Sequence, residues 1–285
     1  MKLPFNIDLK GKVAVVTGGG GVLCSEFAKA LGAAGAKVAV CDLRAEAAKK
    51  VASEINADGG VAIGVAANVL DKASLEAARD EIHAKLGEVD ILLNGAGGNN
   101  PKGSTTKDTL EAKDLTEKVE GVKTFFDLDP EGIGFVFNLN FLGTLIPTQV
   151  FAREMACKEG AVIINISSMN SFRPLTRIPA YSGAKAAVSN FTEWLAVHFA
   201  EVGIRVNAIA PGFFLTEQNR TLLTNPDGSL TPRSEKILSH TPMRRFGVPS
   251  DLIGTLLWLV DSDASGFVNG VVVPVDGGFA AYSGV

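Results

Sequence analysis

The chain has 285 residues, 27 Lys+Arg against 31 Asp+Glu for a net charge of −4, with 46% of its residues hydrophobic and 20% charged. Such a length suits one large domain that hides about three quarters of its surface, so no disulfide or metal staple is required. The mild negative charge offers no long-range pull on nucleic-acid phosphates or anionic lipid, and the apolar content excludes a disordered or collagen-like chain.

The opening MKLPFNIDLKGK carries charges where a signal peptide needs an apolar run, and Cys24, Cys41 and Cys157 form no C-x-x-C pair. A cytoplasmic protein with neither disulfide framework nor metal site is therefore expected. Short β-branched runs then alternate with longer helical patterns, the signature of βαβ units. Strands are expected at Lys12–Thr17, Lys37–Cys41, Val61–Ala66, Ile91–Asn94, Ala161–Ile166, Arg205–Ile209 and Val271–Val275. Helices are expected at Cys24–Ala34, Ala45–Asp58, Lys72–Leu86, Gly134–Met155, Ala180–Glu201 and Pro249–Val260. Right-handed crossovers turn this order into a doubly wound, Rossmann-type three-layer α/β/α sandwich around a seven-stranded parallel sheet.

Gly132–Ala152 holds no charge over a membrane-spanning length, but Asn138, Asn140, Pro147 and Gln149 interrupt it, so it reads as a buried helix. Two segments break the alternation. Lys102–Glu131 carries 13 charges in 30 residues and reads as a surface insertion, either a solvated excursion or a lid or subunit contact. Phe213–Val248, with Pro226, Gly228, Pro232 and Pro242 among short polar pieces, follows a strand and is placed to cover a site.

The first strand runs into Gly18-Gly19-Gly20-Gly21-Val22-Leu23-Cys24 and then a helix, which lets backbone N–H groups approach a pyrophosphate at the helix N-terminus. Asp42 closes the second strand, where a carboxylate can accept bonds from adenosine ribose hydroxyls and repel a 2′-phosphate. NAD(H) is expected over NADP(H), although Arg44 nearby offsets part of that repulsion. Tyr181 and Lys185, four apart on a helix, share one face, and Ser168 stands at the end of the strand run AVIINIS, directly after it and thirteen residues before the tyrosine.

With these residues the sequence resembles the short-chain dehydrogenase/reductase family from Lys12 to about Gly278. The family's T-G-x-x-x-G-x-G lines up with Thr17 to Cys24, leaving Val22 and Cys24 where glycines are usual. Its adenine-contacting Asp-Val pair corresponds to Asn68-Val69, and its N-N-A-G turn to Asn94-Gly95-Ala96-Gly97. Its catalytic tetrad corresponds to Asn140, Ser168, Tyr181 and Lys185, and its nicotinamide-amide segment to Pro211-Gly212 with Thr216. The resemblance implies Tyr181 as acid/base, Lys185 lowering its pKa and holding the nicotinamide ribose, Ser168 binding the substrate oxygen, and Asn140 holding a relay water.

The stretches NGAGGNNP, KTFFDLDPEGI and SSMNSFRPLTRIPAYS are similar to family members that interconvert D-fructuronate and D-mannonate with NAD(H), and to gluconate 5-dehydrogenases. A sugar acid wants polar groups for its hydroxyls and a guanidinium for its carboxylate, for which Asn99, Asn100, Asn170, Arg173 and Arg177 are candidates, Arg173 first. A reductase of acyl or steroid-like ketones and an inactive NAD(H)-binding sensor remain alternatives. A homodimer or tetramer is implied by the resemblance.

Overall fold

The computed structural model describes residues 7–215 and 223–284. Among them, seven strands form one parallel sheet: β1 (Val13–Thr17), β2 (Lys37–Asp42), β3 (Val61–Ala66), β4 (Ile91–Asn94), β5 (Val162–Ile166), β6 (Arg205–Pro211) and β7 (Val272–Val275), in the order β3-β2-β1-β4-β5-β6-β7. The chain builds outward from β1 to β3, then returns to pair β4 against the other side of β1, with Val16 opposite Leu93 and Thr17 opposite Asn94. That reversal opens a crevice at the carboxyl ends of β1 and β4, where open α/β sheets bind ligands.

The two-residue strand period sorts side chains between two cores. Ala14 and Val16 face the side covered by α1 (Val22–Ala33), α2 (Ala45–Ala57) and α8 (Ile253–Val260), against Phe27, Leu31, Ile55 and Leu256. Val13 and Val15 face the side covered by α3 (Lys72–Leu86), α5 (Gly143–Met155) and α6 (Pro179–His198), against Leu75, Ile82, Phe151 and Leu195. With both faces covered, the strands are apolar almost without interruption, as the sequence shows.

The elements match the expected doubly wound sandwich, with shifts at their ends. The helix expected at Gly134–Met155 begins earlier and is divided into α4 (Pro130–Phe137), a π turn at Asn138–Leu142 and α5. In the π turn the Asn140 amide donates to the Val136 carbonyl at 2.8 Å, inserting a side chain into the backbone ladder. Val136, Val150 and Phe151 of this uncharged run are buried in the protein's own core. The helix expected at Pro249–Val260 opens with a 3₁₀ turn (Pro249–Leu252), and β6 runs two residues further than expected.

The insertion contains short 3₁₀ turns, including Ala112–Leu115 and Phe125–Asp127. It is tied to the loop before α6 by a backbone bond from Thr105 N to Arg177 O of 2.9 Å. The segment after β6 carries α7 (Pro232–Ser239), capped by the Thr231 hydroxyl, which accepts from Ser234 N.

Candidate active site

A cleft of about 590 Å³ lies along the sheet crest. Its floor is the turn after β1. Gly18 has φ +65°, and a Cβ there would sit 2.9 Å from both Ala96 Cα and Ala96 N, so only glycine lets the two crest turns meet. α1 then starts at Val22, and Val22 and Leu23 line the cleft at the helix's unpaired N–H groups.

The departures from the glycine pattern are accommodated. Cys24 is buried, and its thiol donates to Gly95 O at 3.6 Å, packing α1 against the turn after β4. Burial pushes this thiol up to about 12 despite the nearby Lys185, so the helix N-terminus does not activate it.

Asp42 stands at one end of the cleft, 8% exposed. One carboxylate oxygen accepts from Gly20 N at 3.1 Å, and the other accepts from Arg44 N at 2.9 Å and lies 3.5 Å from Arg44 Nε. Ala67, Asn68 and Val69 line the adjoining wall, with Gly95, Ala96 and Gly97 opposite.

At the other end lie Tyr181 and Lys185, both on the cleft wall. Lys185 Nζ donates to Ile166 O at 2.7 Å and sits 5.7 Å from the centre of the Tyr181 ring. Ser168 follows the β5 exit; its hydroxyl accepts from Asn170 N at 3.2 Å. Asn140 is fully buried, its amide donating to Gly98 O at 2.7 Å and its carbonyl oxygen accepting from Gly98 N at 3.3 Å. A Cβ on Gly97 would fall 2.6 Å from Asn140 Oδ1 and 3.2 Å from Lys185 Nζ, so Asn140 and Lys185 meet at one glycine turn.

Burial governs the acid–base balance. It lowers Lys185 to about 8 and raises the Tyr181 phenol above its ordinary value, with the Ser168 bond pulling the other way. Desolvation is the larger influence on the phenol, and Ser168 supplies the opposing one.

Other expected residues divide. Gly21 and Gly212 line the cleft. Asn94 does not contribute its side chain there: it is 1% exposed, its amide donating to Thr148 Oγ1 and Asn165 Oδ1 at 2.9 Å each. Asn99 bonds Ser104 and Asn100 caps Lys102 N, so both serve the loop's own turns. Asn170 is buried with its Oδ1 unpartnered. Arg173, the first choice for a carboxylate, is exposed and lines neither this cleft nor the neighbouring cavity, because its backbone closes the Met169–Ser171 turn and carries it outward. Pro211 ends β6, and Thr216 lies outside the described residues.

A second cavity of about 500 Å³ adjoins the Tyr181 end, sharing Phe213 with the cleft. Asp108, Arg177, Arg233 and Lys236 stand on its wall beside Pro174, Leu175, Ile178 and Phe279. Asp108, Arg233 and Lys236 are not singled out by the sequence. Nothing local marks one aspartate among the insertion's charges. Phe213, directly after Pro211-Gly212, could have been found by following the strand past its end.

A doubly wound sheet with a glycine turn after β1, and with serine, tyrosine and lysine converging beside it, defines a dinucleotide-dependent dehydrogenase. The profile of the short chain dehydrogenase family matches residues 12–227, and the chain belongs to that family of oxidoreductases. A Haemophilus influenzae protein named only "uncharacterized oxidoreductase" is 57% identical over 285 residues, covering 100% of this chain and 99% of its own. A crystal structure from Haemophilus influenza with bound NAD, provisionally named a D-mannonate oxidoreductase, matches with a TM-score of 0.94 at 56% identity over 100% of both chains. The 7alpha-hydroxysteroid dehydrogenase of Escherichia coli (strain K12) is 34% identical over 274 residues, 96% of each chain.

Proposed function

We propose that this chain is an NAD-dependent oxidoreductase that interconverts a secondary alcohol and a ketone on a sugar acid, with D-mannonate and D-fructuronate as the pair. The observation that carries the reading is that Tyr181 and Lys185, with Ser168 acting on the phenol, belong to a crest cleft that shares Phe213 with a cavity carrying three cations on its wall.

The cleft suits a dinucleotide. Its glycine turn admits a pyrophosphate at the start of α1, and Asp42 supports NAD(H) by offering acceptors to ribose hydroxyls and repelling a 2′-phosphate. Lys185 would hold the nicotinamide ribose, and Gly212 and Phe213, on the cleft wall, would flank its ring. When bound, NAD supplies the hydride acceptor for oxidation and NADH the donor for reduction.

The chain's own residues then manage the proton. For oxidation Tyr181 acts as the phenolate, which the Lys185 ammonium beside its ring favours, and takes the alcohol proton to become the neutral phenol; Ser168 donates to the substrate oxygen where charge develops, and Asn140 fixes the turn against which Lys185 sits. The bond from Asn170 N occupies an acceptor site on Ser168 and leaves its O–H free to donate. The bound NAD and provisional name of the Haemophilus structure support the same cofactor and substrate.

The apolar side of the second cavity favours one other reading, an anionic hydroxysteroid, in line with the Escherichia coli relative. A panel of aldonates, uronates, polyols and hydroxysteroids, followed by nicotinamide absorbance with each cofactor, decides between them. Turnover of D-mannonate with NAD is expected, abolished in Tyr181→Phe while NADH binding is retained. Wild-type turnover in that variant would overturn the mechanism, and turnover of hydroxysteroids alone would overturn the substrate.

A further inference from the structure

The second cavity has two unlike sides. Pro174, Leu175, Ile178 and Phe279 make one apolar, while Arg177, Arg233 and Lys236 bring three cations against the single carboxylate of Asp108. Asp108 is engaged with two of them. It accepts from Arg177 Nε at 2.6 Å and from Lys236 Nζ in a short contact, with the Thr176 hydroxyl donating at 3.1 Å. The ammonium and guanidinium hold its carboxyl far below the usual range, so it stays ionised and keeps both partners at working pH.

Asp108 therefore joins three segments distant in sequence: the insertion, the loop before α6, and α7. Arg233, one turn before Lys236 on α7, faces the same space and has no ion-pair partner among the described residues. Its guanidinium offers parallel donors suited to a carboxylate, and the surplus positive charge at this end of the cavity favours an anion over a neutral ligand.

We infer that Arg233 receives the substrate's carboxylate and that Asp108 is a positioning residue, holding Arg177, Lys236 and α7 so that this guanidinium meets the substrate. The inference rests on the sugar-acid reading above and adds the residues that select the acid. It moves the carboxylate contact from Arg173 to a helix sixty residues later in the chain.

The test compares kcat/KM for D-mannonate and for its primary amide, which keeps every hydroxyl and loses only the charge. It uses the wild type, Arg233→Gln, Arg233→Lys and Asp108→Asn, at saturating NAD. Losing one charge-assisted pair is expected to lower the acid-to-amide preference about 10- to 100-fold in Arg233→Gln, through KM rather than kcat. Lysine should restore part of it, and Asp108→Asn should reduce it less than Arg233→Gln does. A wild type that prefers the acid and an Arg233→Gln that keeps that preference would overturn the inference and leave the sugar-acid function standing. A wild type indifferent to the charge would overturn both.

Discussion

Replacing Asn94 with alanine separates two roles for the residue that opens the turn after β4. The motif resemblance makes it a cofactor contact, whereas the structure makes it a strut between the sheet and α5. Its amide donates 2.9 Å bonds to Thr148 Oγ1 and Asn165 Oδ1, and Asn165 in turn donates to Thr192 on α6 at 2.9 Å. Alanine removes two buried bonds worth about 1 kcal/mol each and strands the Asn165 oxygen, at about 1–3 kcal/mol. Loss of Asn94 Oδ1, itself buried without a partner, returns part of that cost. The net is about 2–3 kcal/mol, a fall in Tm of about 4–6 °C for a chain of this size. Urea denaturation and thermal melting measure the loss, and NADH fluorescence titration on the folded variant measures the cofactor, whose Kd should change by less than about threefold. Unchanged stability together with NADH binding weakened more than about tenfold would refute the strut and restore the cofactor role.

Three further outcomes follow from the same geometry. Asp42→Ala should relax selectivity toward NADP(H), and it should also weaken NAD(H) by roughly tenfold, because the carboxylate holds Gly20 N as well as facing the ribose site; an unchanged NAD-to-NADP ratio would refute the assignment. Lys185 is held at about 8 in the fold against an ordinary 10.5, so the native state sheds this proton first as pH rises, and the group adds stability progressively from about pH 8 to 10.5. Cys24 and Cys41, pushed up to about 12, act in the opposite sense above pH 9, so the comparison is between wild type and Lys185→Met: the wild type should gain on the variant between pH 7.5 and 9.5, and a constant gap would refute burial as the cause. A thiol reagent should label exposed Cys157 rapidly and leave buried Cys24 and Cys41 until the chain unfolds, and fast modification of a second thiol with loss of NADH binding would contradict the packing role of Cys24.

What could be read from the sequence was local. The strands and the glycine turn depend on period and on neighbours in the chain, and so does the four-residue spacing of Tyr181 and Lys185. Even the direction of Asn94 was available: Ile91 and Leu93 belong to the α1 side, so the strand period puts Asn94 toward α5, where Thr148 waits. The motif resemblance points to the cofactor instead. The π turn at Asn138–Leu142 was not legible, because a continuous apolar helix and one interrupted by an amide have the same periodicity. The cavity's cations were hidden for another reason: Asp108 meets Arg177 and Lys236 across 69 and 128 residues of chain, and no spacing rule spans such distances.

The two halves of the site are also held by different forces, which gives a way to loosen one without the other. The crest is fixed by backbone: Gly18 by its conformation, Asn140 by three bonds to neighbouring main chain, Lys185 by the Ile166 carbonyl. The cavity's charged side is held by side-chain pairs with Arg177 49%, Lys236 63% and Asp108 30% exposed, each of the kind worth about 0–1 kcal/mol. Screening shortens from about 10 Å at 0.1 M salt to about 3 Å at 1 M, which weakens those pairs and the pull of Arg233 on an anion together. At saturating NAD, KM for D-mannonate should therefore rise severalfold over that range while KM for the neutral amide and kcat for both stay nearly level. Parallel salt responses for acid and amide would mean that these cations do not read the substrate's charge.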